Sequence, residues 1–335
     1  MERVLNALEG DKQLQFWGIS YGTVLGATFA AMFPDRVKRM VLDGVVNVYE
    51  YYNYQQIEFW TDTDNVFNDF CATCVAHPNT CALANKSDVT AAQLRHSILQ
   101  IIARLEHHPV TVPVGNDVVV VDHLFAKALI FRNLYDPAGW PHLAKIISIF
   151  IEKEPIPAGM SAFFIEPEIE NEYLIGILCS DSSWRASRRS ELTPIIQAGR
   201  RLSIFAESSD IKSYACARWP FVAKDRPDRS AFDSVLTAHP VLFVGNTHDP
   251  VTPLKSAFNV SQGFSGSVVL QQNSTGHGST SSFSHCTHRM LRQYFATGGL
   301  PRNDTICQID VQPFAQVSLS GTAKRDLFST AERGF

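Results

Sequence analysis

Residues 14–43 read LQFWGISYGTVLGATFAAMFPDRVKRMVLD. Leu14-Gln15-Phe16-Trp17 alternates and ends at Gly18, the reading of a short strand. TVLGATFAAMF, residues 23–33, reads as a helix rich in small residues, and Pro34-Asp35 stops it. Val37 to Asp43 (VKRMVLD) reads as a second strand. Strand, helix and strand within about 30 residues is the size of a βαβ unit with a parallel crossover.

Outward from this unit, residues 2–9 read as a helix end, with Val4, Leu5 and Leu8 three and four apart. From about Tyr49 to Arg229 helical patterns dominate. Leu94, Ile98, Ile101, Ile102 and Leu105 form one helix face. VTVPVGNDVVVV predicts a hairpin turning at Gly115-Asn116. The βα alternation resumes with a strand at 241–245, a helix over 251–262, a strand at 268–271 and a helix over 284–297. This predicts an α/β sheet interrupted by a mostly helical insertion. The expected division is 1–48 (first part of the core), 49–229 (insertion), 230–314 (second part of the core) and 315–335 (peripheral tail).

The chain has 335 residues, 29 Lys+Arg and 33 Asp+Glu, a formal net charge of −4. No basic face or Lys/Arg run suggests nucleic acid. Hydrophobic residues at 45% and charged residues at 19% are a globular mixture that excludes a disordered chain. No apolar run approaches the ~18–20 residues of a membrane span.

Gly18-Ile19-Ser20-Tyr21-Gly22 is G-x-S-x-G. By chance it arises in roughly one chain in ten of this length, so its position matters more than its presence. It lies at the predicted strand-to-helix junction, where a nucleophilic serine sits on a strained turn and flanking glycines avoid clashes. The following helix aims its N-terminus at the site and favours negative charge there. The competing reading, a turn in a nucleotide-binding unit, has no G-x-G-x-x-G or Walker pattern behind it. A nucleophilic serine needs a base, and the base needs an orienting carboxylate. Asp249 follows the strand at 241–245, and His277 lies between glycines after the strand at 268–271. Their gap, 277 − 249 = 28 residues, suits one helix and one strand. Singly, Asp249 could cap the helix after Pro253 and His277 could be an exposed loop residue. The order Ser, Asp, His on these loops predicts a triad.

FWGISYGTVLGATFAAMFPDRVKRMVLDGVV resembles the nucleophile region of the tripeptidyl aminopeptidase group of serine peptidases, relatives of the prolyl aminopeptidases. The likeness continues through NLYDPAGWPHLAKII, ILCSDSSW, PVLFVGNTHDPVTPLKSA, STGHGS and GGLPRNDTIC, from about residue 4 to about 310. It implies an α/β-hydrolase fold with a helical cap, and release of short peptides from free N-termini by secreted enzymes. It matches Ser20 to the nucleophile, Asp249 to the orienting acid, His277 to the base and the Tyr21 backbone N–H to an oxyanion donor. It also implies disulfides Cys74–Cys81, Cys179–Cys216 and Cys286–Cys307, with Cys71 left over. No metal or organic cofactor is implied. A close alternative activity is that of an esterase or amidase on small acyl substrates.

In this fold four strands normally precede the serine turn, with a Gly-rich loop for the second oxyanion donor. Neither is found before Ser20, so the expectation is that the N-terminal strands of the sheet are missing. Residues 1–17 do not read as a secretory leader either. The favoured explanation is a piece of a longer, secreted enzyme. The alternative is a short product, weakly active or a non-catalytic remnant with a binding or structural role.

Cys71-x-x-Cys74, His77 and Cys81 could be drawn as a zinc site, but a short disulfide loop is preferred, since a structural zinc usually brings a second ligand pair. Sequons at Asn85, Asn259, Asn273 and Asn303 and seven cysteines favour an oxidising, extracellular setting. An aminopeptidase must recognise a protonated amine, so carboxylates are expected near the cleft. Asp181 and Glu168 are the candidates.

Overall fold

The computed structural model describes residues 1–8, 10–53, 57–84, 89–114, 117–152 and 172–315. Five parallel strands form the main sheet in the order β1-β2-β5-β6-β7. They are β1 (Leu14–Ile19), β2 (Val37–Asp43), β5 (Leu242–His248), β6 (Val268–Thr275) and β7 (Ile306–Gln308). The short β7 was not foreseen: three residues are too few to show a period. Among the described residues β1 is the edge strand and pairs with β2 alone.

Side chains alternate between two cores, as a sheet covered on both faces requires. Phe16, Met40, Leu42 and Phe243 face α2 (Tyr21–Met32) and α11 (Leu254–Ser261). The small Ala27 and Ala30 let α2 lie close to the sheet. A Cβ on Gly26 would come 2.6 Å from Leu42 Cδ2. Trp17, Val41, Leu242, Val244 and Leu270 face α12 (His285–Thr297), whose Leu291 and Tyr294 are buried. The Tyr294 hydroxyl accepts the Met40 N–H and donates to Pro240 O, which closes that layer.

Between β2 and β5 the chain is mainly helical. It contains α3 (Val48–Tyr51), α4 (Thr63–Ala76), α5 (Ala91–His107), α6 (His123–Asn133), α7 (Trp140–Glu152), α8 (Glu172–Asp181), α9 (Arg189–Leu202) and α10 (Asp210–Ala217). The expected hairpin is present as antiparallel β3 (Val110–Val114) and β4 (Asp117–Val121); its turn at 115–116 lies outside the described residues. Leu94, Ile98, Ile102 and Leu105 of α5 are buried as the spacing predicts, in a second core with Phe67, Phe70 and Trp140. Val251, two residues past Asp249, belongs to this core, so the Asp249 loop is packed against the helical segment.

All three expected disulfides form, and Cys71 is free and buried. Cys179–Cys216 ties α8 to α10, and Cys286–Cys307 ties α12 to β7. Loops of 37 and 21 residues restrain the unfolded chain by about 3–4 kcal/mol each in the loop-entropy view. The zinc reading of Cys74 and Cys81 fails because each is the other's partner. Burial pushes the Cys71 thiol up to about 12, the mark of a packing residue rather than a nucleophile.

Candidate active site

The turn between β1 and α2 has the strain that the G-x-S-x-G reading requires. Ser20 has φ 57° and ψ −122°, a left-handed backbone that side chains rarely adopt. Its N–H donates to Asp43 O, which fixes it to the end of β2. Ser20 is the N-cap residue of α2, yet its hydroxyl caps no helix amide. A serine at this position ordinarily accepts from the first turn; here the backbone turns the oxygen away. Tyr21 opens α2, so its N–H is among those a helix leaves without an intrahelical partner.

Only one of the two glycines is there for space. A Cβ on Gly18 would lie 2.4 Å from Gly22 O and 2.5 Å from Phe16 Cε1, whereas one on Gly22 meets nothing within 4 Å. The expectation that both avoid clashes is therefore corrected: α2 crosses β1 at Gly18, and Gly22 faces open space.

Asp249 is fully buried. Its Oδ1 accepts the Val251 and Thr252 amides; Oδ2 accepts the Gly278 amide and the Thr252 hydroxyl. His277 Nδ1 lies 3.1 Å and 3.0 Å from the two oxygens. Asp249 does not cap α11, whose N-cap is Pro253; it holds the Asp-Pro-Val-Thr turn and the imidazole instead. His277 is not an exposed loop residue either, with its side chain 12% exposed. Its N–H donates to Tyr135 O, and the Tyr135 ring meets the imidazole edge to face at 5.0 Å.

Burial opposes ionisation of Asp249, but the His277 charge and hydrogen bond, with the Gly278 and Val251 amides, hold its carboxyl below the ordinary range. Burial likewise opposes the imidazolium of His277. The charge and hydrogen bond of Asp249, helped by Asp43, outweigh it and raise the His277 pKa. Among the described residues Ser20 and His277 share no hydrogen bond, although they share neighbours. Ser20 and Thr252 line one cavity of about 170 Å³, and Thr252 Oγ1 lies 3.0 Å from His277 Nδ1.

The sequence reading missed several residues around this centre. Asp43, fully buried at the end of β2, accepts the Ser279 N–H at 2.8 Å, the Ser279 hydroxyl at 2.6 Å and Trp17 Nε1–H at 3.2 Å. Its backbone oxygen holds Ser20 while its carboxyl holds the loop after His277. Burial raises its pKa against these donors. Asn246, also buried, donates to Gly276 O and Gly278 O on either side of His277. A charged or amide residue closing an apolar run, as in MVLD and LFVGN, is the signal that could have found both.

Asp181 accepts the Tyr51 hydroxyl at 2.8 Å and reaches the cavity only through that ring, whereas Glu50 lines the cavity directly. Glu168 and Asn85 lie outside the described residues. Asn273 and Asn303 are exposed. Asn259 sits on α11 with its amide donated to the buried Glu58 at 2.6 Å, so a glycan there would have to displace that bond.

Two family models match the chain. One, described as alpha/beta hydrolase fold, covers residues 1–113, and the other, described as TAP-like protein, covers 203–307. This chain has the α/β-hydrolase fold. It is similar to the tripeptidyl aminopeptidase of Streptomyces coelicolor, 27% identical over 92% of this chain and 57% of that protein. It is also similar to the putative hydrolase YuaR of Escherichia coli, 28% identical over 83% of this chain and 54% of that protein. Serine protease Hip1 of Mycobacterium tuberculosis is 22% identical over 90% of this chain and 59% of that protein. The chain thus spans a little over half the length of these curated relatives. The α/β-hydrolase fold explains the parallel sheet, the strained serine after β1, and the positions of Asp249 and His277 after β5 and β6 in that order.

Proposed function

We propose that this α/β-hydrolase is a serine peptidase that releases short segments from free N-termini through an acyl-enzyme. The observation that carries it is Ser20, held in a left-handed conformation with its hydroxyl released from helix capping, on a cavity shared with the residue that bonds both Asp249 and His277. Ser20 Oγ attacks the carbonyl carbon while His277 Nε2 takes its proton, and Asp249 keeps the other ring proton on Nδ1. The Ser20–His277 hydrogen bond forms when substrate fills the cavity, since catalytic hydrogen bonds often close only in the substrate complex. The oxyanion receives the Tyr21 N–H at the start of α2. The protonated imidazole then gives its proton to the leaving amine, and water resolves the acyl-enzyme by the reverse steps.

Glu50 supports the aminopeptidase form of this reading. It is a partly buried carboxylate on the wall that Ser20 shares, and burial raises its pKa. A substrate ammonium would add to the weak countercharge of Lys255. Asp181 would act behind it, by orienting Tyr51. The tripeptidyl aminopeptidase relatives support peptide substrates, and the three disulfides support an extracellular setting. Among the described residues no helix is long and apolar enough to cross a membrane.

A fluorophosphonate probe tests the chemistry: labelling at Ser20, lost in Ser20→Ala, is expected. A folded protein that takes no label refutes it and leaves a non-catalytic role. Tripeptide amides set against short acyl esters then separate the peptidase from an esterase, the activity named in a carboxylesterase relative. Free-amine peptides should exceed N-acylated ones, and Glu50→Gln should remove about tenfold or more of that preference.

A further inference from the structure

Lys212 on α10 also lines the Ser20 cavity. It lies at the boundary with a second, smaller hollow: Lys212 and Phe59 are the residues common to both walls. No acid among the described residues pairs with this ammonium, and the neighbouring acids are already engaged. Asp210 bonds Arg200, Glu207 bonds Lys127 and Arg200, and Asp64 pairs with Arg95. Glu58, next to Phe59 in the chain, takes Lys255, Ser256 and Asn259. Glu50, the other charged residue of the cavity, accepts the Glu58 N–H and makes no ion pair with Lys212. Burial, with nothing opposing it, holds the Lys212 ammonium below the ordinary lysine range. A half-buried cation with no acid paired to it among the described residues gains when an anion arrives to pair with it.

From this placement we infer that Lys212 is a specificity-determining residue that binds a carboxylate on the acyl portion of the substrate, the portion that ends at the carbon attacked by Ser20. The inference rests on the serine-peptidase reading for the position of that carbon. The cavity then carries an anion, Glu50, on one part of its wall and a cation, Lys212, on another. It is complementary to a short peptide segment with a free ammonium and an acidic side chain. The second hollow, of about 40 Å³ and lined also by Asp210, shares Phe59 and Lys212 with this wall. A basic side chain in the same place would meet Lys212 head on, so the residue both selects and excludes.

The test uses tripeptide amides in matched pairs, Glu against Gln at each of the three acyl positions. Wild type should turn over the Glu member of one pair at least tenfold better in kcat/KM. Lys212→Met should bring that ratio to within twofold of one, and Lys212→Arg should restore most of it. An unchanged ratio in Lys212→Met, or no Glu preference at any position, overturns the inference. A second series compares tetrapeptides ending in a free acid with the same tetrapeptides ending in an amide; a dependence on Lys212 confined to that series places the carboxylate on the leaving side and also overturns it. Binding to Ser20→Ala separates this outcome from failure of the catalytic reading. The Glu peptide should bind that variant about tenfold more tightly than the Gln peptide, and Ser20→Ala/Lys212→Met should lose the difference. Equal binding of the two peptides to Ser20→Ala refutes the Lys212 assignment even where fluorophosphonate labelling of Ser20 succeeds.

Discussion

Replacing Asp249 with Asn changes one atom and one charge at the best-determined point of the site. Asp249 Oδ1 keeps the Val251 and Thr252 amides only if the new NH2 takes the Oδ2 position. There it faces three groups: the Gly278 N–H, the Thr252 hydroxyl and His277 Nδ1. The hydroxyl can rotate to accept. The Gly278 N–H cannot, so one buried donor is orphaned at about 1–3 kcal/mol. The opposite amide orientation orphans the Val251 and Thr252 amides instead and is worse. The NH2 also donates to His277 Nδ1, which forces the ring proton onto Nε2, the atom that must accept from Ser20. A wrong tautomer of this kind costs about 10⁴-fold in turnover, or roughly 5.5 kcal/mol of barrier. The assay is the second-order rate of fluorophosphonate labelling at Ser20, with hydrolysis of whichever substrate wild type accepts. Asp249→Asn should lose about 10³–10⁴-fold in both, with an unfolding free energy lower by about 1–3 kcal/mol. A folded variant within tenfold of wild type would mean that Asp249 does not orient the base.

The pH profile follows from the same pair. The neutral imidazole is the base, and Asp249 raises the His277 pKa, so labelling should fall as pH drops through a value above the ordinary ~6.5; an acid limb at or below 6.5 contradicts this. The two groups also shape stability. The His277 contribution is complete below the unfolded histidine pKa and disappears as pH rises through the raised folded value. The Asp249 contribution is present above the unfolded carboxylate pKa and disappears as pH falls through the lowered folded one. Denaturant melts across pH 3–9 should show both slopes. Asp43→Ala removes the acceptor for Ser279 and Trp17; it should cost about 2–4 kcal/mol and slow Ser20 labelling, and unchanged labelling in the folded variant would show that the carboxyl holds only the core. Gly18→Ala should abolish soluble expression or labelling, because its Cβ meets backbone at 2.4 Å, whereas Gly22→Ala meets nothing and should label within about twofold of wild type.

The sequence by itself determined the local chemistry and the order of elements. The alternation of LQFW and the glycines around Ser20 are local signals, and local sterics enforce them, so the strand, the strained turn and α2 stand where the reading put them. The three disulfides were legible through resemblance. Tertiary structure alone decided which polar residues meet. Asp43 and Ser279 are 236 residues apart and touch because β2 ends, and the loop after β6 begins, at the same C-terminal end of the parallel sheet. Glu50 and Lys212, to which nothing in the sequence points, share a wall with Ser20, while Asp181, a candidate in the sequence, stands behind Tyr51. The difference is physical: a backbone turn is fixed by residues within a few positions of it, whereas the partner of a charge is whichever group the packing of distant elements brings close enough to replace water.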